Sequence, residues 1–503
     1  MRNLVWLSVA LVGCSSDVGT TVEGNGRAGN GSGGHATPWV PGETKKPASD
    51  DRIATDISIT EIAIFQGVKI PLMKVGEAAT SAYASAVGGR PGVVRVYVKL
   101  EQGFTARSLT AELTLRSADG TDTIRESQMT VSQNSTESSL SSTMNVTLTP
   151  EEIAQGSSFK VRILNSEDAA PQDGTRAQYP QDSSVASFNA VSSGKLRVKL
   201  VPVRYDADGS GRLPDTSAAQ VERYRTAFLE QYPVTDVEVT VRDAVAWTSA
   251  ISANGSGFDN ILEEMVYVRA NDRPSSDVYY MGIFAPTSSF QKYCGGGCVT
   301  GLSGLVFDAT DSQGRASVGI GFSGSDSAET SVHEIGHAHG REHSPCGTGG
   351  SRTYPYANGA IGSWGYGILS KKLYSPTSYS DFMGYCNPTW VSDYTFGALL
   401  TRVRAVSPLT KGIALPGGEY RFVQVSPEGD LRWGRTVTLP AAPTNTPTTI
   451  RTVESSGAIR NVTGYYYPFA ERDGGYMLVR KSDVSGKRLE IDLRGTTRTL
   501  AAQ

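Results

Sequence analysis

The chain is expected to be an α+β protein in three folded parts: a β-sandwich, a central region of mixed sheet and helices, and a small C-terminal β-domain. Three observations predict this. Residues from about 52 to 193 alternate apolar and polar in short runs such as "VVRVYVKL", "LTAELTLRS" and "SFKVRILN", separated by Gly/Ser/Asp turns. From Gly194 the periodicity switches between strand and helix. From about Thr410 to Gln503 strand alternation returns, as in "EYRFVQV" and "RLEIDLRG". The expected divisions are a signal segment over 1–13, a tether over 14–51, the sandwich over 52–193, the central domain over 194–408 and the last β-domain over 409–503.

A length of 503 residues allows several domains, each with its own core. The 47 basic and 50 acidic side chains leave a net charge of -3, with no basic cluster. Neither a nucleic acid nor an anionic membrane surface is therefore an expected partner on charge grounds. The N-terminal "MRNLVWLSVALVGCSS" places Arg2 before a short apolar run from Leu4 to Val12, too short to span a bilayer but suited to a signal peptide. Leu11-Val12-Gly13-Cys14 resembles the bacterial lipobox. That resemblance implies a lipidated Cys14 as the first mature residue and a lipid anchor in the bacterial cell envelope. The alternative is an ordinary secretory signal with an incidental cysteine.

The tether to about Asp51 is rich in Gly, Ser, Thr and Pro, and His35 within it reads as a solvated side chain. The alternating runs over 52–193 predict antiparallel strands, with an immunoglobulin-like sandwich as the expected form. In the central region "KLRVKLVPVRY" predicts a buried strand, "SAAQVERYRTAFLEQY" an amphipathic helix and "DVEVTVRD" a strand. "FDNILEEMVYVRA" predicts a second helix and "VYYMGIFA" another strand, with two shorter strands in "GLSGLVFDA" and "RASVGIGFSG". Asp326, followed by Glu329, marks a helix start. "SDYTFGALLTRVRAV" spaces Phe396, Leu399, Leu400 and Val403 as a further helix. "DADGSGRLPD" (Asp206 to Asp215) resembles a calcium-binding EF-hand loop, but Ser217 stands at the twelfth position where a bidentate glutamate is needed. A polar turn is the better reading, and Ca2+ is not an expected cofactor.

The chemistry is concentrated in "SVHEIGHAHGREHSPC". Of five histidines, His333, His337, His339 and His343 fall within eleven consecutive positions. On a helix, His333 and His337 present two imidazoles on one face, at a spacing that one small cation can bridge. Glu334 is adjacent, where a carboxylate can take a proton from water activated by the metal. Gly340 can adopt a positive φ and end the helix, so that the chain turns back and His343 becomes a third ligand. Three protein ligands are the pattern of catalytic zinc sites, whereas structural sites are closed by four. Counted at 100° per residue, His339 falls with Ala328, Val332 and Ile335 on the opposite face, as a hydrogen-bonded core histidine.

His333, Glu334, His337, Gly340 and His343 together resemble the extended zinc-binding signature of the metzincin clan of zinc endopeptidases. The resemblance covers roughly residues 195 to 408 and implies a metzincin-like catalytic domain with one catalytic Zn2+. It also implies a turn with a methionine beneath the metal, and "YSDFMGYC" supplies Met383. In the astacin-like and serralysin-like branches a tyrosine two residues later assists at the metal, a place that Tyr385 occupies.

Without Cys14, four cysteines remain, an even number that suits an oxidising compartment. Three pairings are possible. Cys294-Gly-Gly-Gly-Cys298 can close locally, and Cys346 with Cys386 would tie the segment after His343 to the methionine turn. A second metal site on Cys294 and Cys298 lacks a matching pair. Residues 52–193 carry no cysteine, which excludes a cysteine-switch propeptide there, and no other latency device is legible.

The expected function is that of an envelope-anchored, monomeric zinc endopeptidase. Zinc on His333, His337 and His343 would activate water and polarise the scissile carbonyl, with Glu334 as general base and Tyr385 as hydrogen-bond donor to the oxyanion. A loose likeness to multidomain mucin-degrading metalloproteases implies extracellular proteins or glycoproteins as substrates. The rival is a non-catalytic, zinc-containing surface adhesin, which would have no use for Glu334.

Overall fold

The computed structural model describes residues 47–166, 175–406 and 416–503. The signal segment, Cys14, His35 and the boundary at 408/409 lie outside these residues. The described chain falls into two compact units, one ending at Ser192 and the other running from Ser193 to Gln503. Secondary structure is mixed, with many strands and few helices, an α+β protein.

The first unit contains the main strands β1 (Ile57–Phe65), β2 (Gly67–Lys74), β3 (Gly92–Leu100), β4 (Arg107–Arg116), β5 (Asp122–Val131), β6 (Met144–Leu148) and β7 (Ser158–Leu164). They form two antiparallel sheets, one ordered β2-β1-β3-β6 and the other β7-β4-β5. Alternation works as the sequence suggests. On β4, Leu109, Ala111, Leu113 and Leu115 are buried at every second position. Glu112 breaks the apolar pattern from the other face, where Arg162 of β7 neutralises it.

The second unit opens with β8 (Leu196–Tyr205), α1 (Ala218–Gln231), β9 (Val237–Val241), β10 (Val245–Trp247), α2 (Phe258–Asp272) and β11 (Val278–Phe284). It continues through β12 (Gly301–Ser303), β13 (Ala316–Ile320), α3 (Ser325–Ala338) and α4 (Asp393–Val406). The sheet order is β9-β8-β11-β13-β12. Strands β9, β10 and β11 run parallel to β8, and β13 runs parallel to β11. Parallel neighbours need crossovers, which α1 and α2 supply. Only β12 is antiparallel to its neighbour in this sheet, with Gly301 opposite Gly319 and Ser303 opposite Ser317. It forms the edge beside α3.

Two local details differ from the sequence expectation. Helix α3 starts at Ser325 after a Gly324 N-cap, with Asp326 inside its first turn. The Gln220 side chain holds both polar groups of Gly324, at 2.9 Å each, so a neighbouring helix replaces the usual side-chain cap. The strand expected over "GLSGLVFDA" stops at Ser303. Beyond it, Asn445 accepts from the Phe307 N–H at 2.9 Å and Arg402 donates to the carbonyls of Val306 and Phe307, taking groups a longer ladder would need.

The "DADGSGRLPD" segment is a polar turn in which Asp206 pairs with Arg204 and Asp208 with Arg212. Ser217 caps α1 by accepting from the Gln220 N–H.

The chain ends in a seven-stranded antiparallel sheet of β14 (Pro416–Val425), β15 (Leu431–Ala441), β16 (Thr446–Val453), β17 (Ile459–Pro468), β18 (Gly475–Arg480), β19 (Arg488–Leu493) and β20 (Thr496–Leu500). Its order is β15-β14-β18-β17-β16-β19-β20. One core is continuous from the mixed sheet into this one: Phe258, Leu262 and Met265 of α2 pack with Val201, Tyr280 and Val318, and also with Phe422, Leu439 and Leu478. Among the described residues, no helix is long and apolar enough to cross a membrane.

Candidate functional site

Helix α3 carries the centre. Its apolar face, Ala328, Val332 and Ile335, is fully buried, and the Ser317 hydroxyl of β13 donates to the Glu334 carbonyl at 3.2 Å. The Tyr232 hydroxyl donates to the Val332 carbonyl at 2.8 Å. The helix is thus fastened from two sides. It ends in a Schellman arrangement: Gly340 has φ of 80°, its N–H donates to His337 O at 2.8 Å, and the Arg341 N–H donates to Gly336 O at 3.0 Å. The chain reverses there and His343 comes back toward the helix.

The result brings His333, His337 and His343 together, with ring centroids of 4.6 Å for His333–His337, 4.7 Å for His337–His343 and 5.3 Å for His333–His343. His333 Nδ1 lies 2.6 Å from Phe382 O and His337 Nδ1 2.5 Å from Arg341 O. A carbonyl only accepts, so both rings carry their proton on Nδ1 and leave the Nε2 lone pair free. Those two Nε2 atoms stand 3.0 Å apart, close to the spacing of about 3.3 Å expected for two nitrogens bound tetrahedrally to one zinc. Burial pushes the imidazoles down, to about 4 for His333, about 3 for His337 and about 2 for His343, so each is held neutral as a metal ligand must be.

A fourth donor belongs to the group. Glu471, in the turn between β17 and β18, points Oε1 to within 3.1 Å of His337 Nε2 and 3.9 Å of His333 Nε2. One ligand atom from each of the four residues lies within 4.8 Å of all the others. Buried His343 Nε2, Glu334 Oε2 and Glu471 Oε1 have no hydrogen-bond partner. Burial, followed by the facing charge of Glu471, pushes the Glu334 carboxyl well above the usual carboxylate range. Imidazole lone pairs and two facing carboxyl groups converge on one point, an arrangement that a divalent cation would satisfy, and an N3O donor set suits zinc.

Glu334 itself is 2 % exposed. It lies against Gly301 of the edge strand, where any side chain would overlap its carboxylate. Met383 is buried beneath the helix with its sulfur against Gly336, where a methyl group would sit 2.5 Å from it. The turn around Met383 is tied to the segment after His343: the Ser344 N–H donates to Met383 O at 2.9 Å, and the Tyr385 N–H to Cys346 O at 2.8 Å. Asp381 accepts from the Met383 N–H at 2.8 Å and from the Ser392 N–H at 2.9 Å, which fixes both ends of the turn. The half-buried Tyr385 ring lies 4.8 Å from the His343 ring and 5.9 Å from that of His333. Burial, then the charges of Glu471 and Glu334, push its hydroxyl pKa up, so it stays protonated and able to donate.

Cys346 and Cys386 are at disulfide distance, as are Cys294 and Cys298. The first pair joins the loop after His343 to the residues just after Met383. His339 lies away from the cluster, with Nδ1 2.8 Å from Ile335 O and its ring stacked on Tyr279 at 4.2 Å.

The family model Peptidase M66 matches residues 216–389. The match supports a metallopeptidase family. It spans α1 through Met383 and Tyr385, and so contains all three histidines and Glu334. It covers less than half of the chain and leaves out the segment that carries Glu471. No curated protein matches the sequence.

Glu471 is the residue that sequence reasoning does not reach. It stands in "YPFAERDGG", far from the histidines, with no spacing or periodicity to single it out.

Proposed function

We infer that this protein is a zinc endopeptidase of the bacterial cell envelope. The observation that carries the reading is the placement of Glu334: a buried carboxyl oxygen without a partner, beside three converged imidazoles, within the segment that matches a peptidase family. The order of active-site helix, glycine turn, third histidine and buried Met383 agrees with the metzincin arrangement.

His333, His337 and His343 would hold the ion, with Phe382 O and Arg341 O orienting the first two rings. Zinc at such a centre supplies Lewis-acid polarisation of a carbonyl and lowers the pKa of a water. With a cation's charge offsetting the burial that raises its carboxyl, Glu334 would be ionised, take the proton of the attacking water on a carboxylate oxygen and deliver it to the departing amine. Tyr385 donates its hydroxyl hydrogen to the oxygen on which charge develops. Met383 gives the histidines a close-packed floor.

The tethered anchor at Cys14 places a monomeric enzyme at the cell surface, where extracellular proteins or glycoproteins are its substrates. The two sheets of the first unit serve docking or spacing.

A second reading is favoured by one specific observation. With Glu471 the centre offers four protein donors, the number that closes a structural zinc site, as a non-catalytic adhesin would have. Glu334 argues against it, since burying a second carboxyl with no ligand role is costly and a purely structural centre has no need of one. Cleavage profiling on a mixed peptide library separates the two, using the wild-type chain and Glu471→Ala, each with and without a chelator. Chelator-sensitive internal cleavage supports the peptidase, and no cleavage by either zinc-loaded form supports the adhesin.

A further inference from the structure

We propose that Glu471 is a fourth protein ligand to the metal and that Pro468–Glu471 pairs with the end of β12 and the residues just after it, where an extended peptide substrate would lie, so that the folded chain closes its own cleft. This rests on the metallopeptidase reading above.

The backbone supports the placement. Strand β12 uses its inner edge to pair with β13, which leaves its outer edge at Ser303 beside Glu471 of the histidine cluster. An unpaired strand edge is a template for an extended peptide, bound by main-chain hydrogen bonds. Here the chain's own segment uses that template. The Leu305 N–H donates to Pro468 O at 2.8 Å, the Ala470 N–H donates to Ser303 O at 3.1 Å, and Gly304 forms an antiparallel bridge with Phe469. The next residue along is Glu471.

The Ser303 N–H donates to Glu471 Oε2 at 3.3 Å and so aims Oε1 inward at His337 and His333. Oε1 and the two Nε2 atoms are all lone-pair acceptors, and they repel unless a cation sits among them. Glu471 would then fill the position that three-histidine centres keep open for water and substrate.

The segment is held along its length: Asp473 pairs with Arg494, and the Gly474 carbonyl accepts from the Phe469 N–H at 3.1 Å and the Tyr466 hydroxyl at 2.7 Å. Phe469 is buried, and Arg472 lies over its ring at 5.3 Å while reaching Gly255 O at 3.4 Å and Asp259 at 3.8 Å. The sheet behind it is fixed: Asp311 accepts from the Tyr467 hydroxyl at 2.7 Å and from the N–H groups of Thr444 and Asn445 at 2.7 and 2.9 Å. Release therefore means peeling residues 470–474 from the edge, at the cost of the Ala470–Ser303 and Ser303–Glu471 bonds, the Arg472 contacts with Gly255 and Asp259, and the Asp473–Arg494 pair, with the rest of the sheet in place. This is a latency device that involves no cysteine.

The test uses the full chain loaded with Co2+ in place of zinc, as wild type, Glu471→Gln and Glu471→Ala, with acetohydroxamate as the probe. Readouts are the visible Co2+ spectrum, hydroxamate affinity, Co2+ affinity and peptide cleavage. In the wild type, hydroxamate should leave the spectrum almost unchanged. In Glu471→Ala it should bind at least about tenfold tighter, with a spectral change, while Co2+ is held at least about tenfold more weakly. Peptide cleavage should rise in parallel. Glu471→Gln keeps an acceptor for the Ser303 N–H and carries the test if the alanine variant does not fold. Wild-type spectrum, hydroxamate affinity and metal affinity in a folded Glu471 variant would overturn the proposal, while cleavage by all three forms would leave the peptidase reading standing. Failure of every form to bind metal would overturn both.

Discussion

His337 and Glu471 face each other at 3.1 Å, Nε2 to Oε1, one on helix α3 and the other on a turn of the C-terminal sheet. The candidate metal centre is therefore a joint product of the mixed sheet and the last sheet, which also share a core. A chain ending at Val406 would expose Phe258, Leu262 and Met265 by removing Phe422, Leu439 and Leu478. Each large apolar side chain is worth roughly 1.5–3 kcal/mol on burial, against a net stability of about 5–15 kcal/mol. Such a truncated chain should be insoluble or unfolded by circular dichroism. A cooperative thermal transition near that of the full chain would contradict the shared core.

Tyr385 is close enough to the histidines to serve them, and its hydroxyl stays protonated. If it meets the oxyanion, Tyr385→Phe should lower kcat with little change in KM and none in zinc content. A single oxyanion donor elsewhere is worth about 10²–10³ in rate, an upper guide where a metal stabilises the same oxygen. A fall of roughly ten- to a hundredfold is expected in steady-state kinetics. Unchanged kcat would make it a packing residue.

The Cys346–Cys386 pair joins the loop after His343 to the turn that holds Met383 and Tyr385. Replacing both with serine should cost roughly 2–4 kcal/mol in denaturant unfolding, because the pair closes a loop of moderate length. Zinc should also be held more weakly, since His343 would lose its restraint. Equal midpoints and equal zinc affinity would show that the backbone bonds Ser344–Met383 and Tyr385–Cys346 suffice alone.

Cys14 decides the anchor. The wild-type protein should fractionate with membranes and carry acyl chains by mass spectrometry, while Cys14→Ser should do neither. The same partitioning in both forms would remove the lipoprotein reading.

Much of the centre was legible because it is local. His333 and His337 share one helical face, Gly340 ends that helix with the positive φ expected of it, and His339 is pointed away by the same 100° count. Periodicity also located α1, α2, α4 and the strands β8, β9, β11 and β13 of the mixed sheet; β12 is shorter than expected, and the short β10 was not anticipated. What escaped was long-range. Glu471 reaches the histidine cluster only because the β17–β18 turn pairs with the end of an edge strand, and that edge is short because Asn445 and Arg402 take the next backbone groups. The α3 cap came from a glutamine on another helix. None of these leaves a periodic trace in the chain.

The most direct test of the central claim compares wild type, Glu471→Ala, Glu334→Gln and the double variant, each assayed for zinc and for cleavage of a mixed peptide library with and without a chelator. All four should bind about one zinc per chain, since the three histidines remain. Glu471→Ala should cut internal peptide bonds, the chelator should stop it, and Glu334→Gln in the same background should lower the rate at least about 10²-fold, as loss of a general base does. Zinc-loaded Glu471→Ala and wild type that cut nothing, or a double variant that cuts as fast as Glu471→Ala, would contradict the assignment of Glu334 and the peptidase function with it.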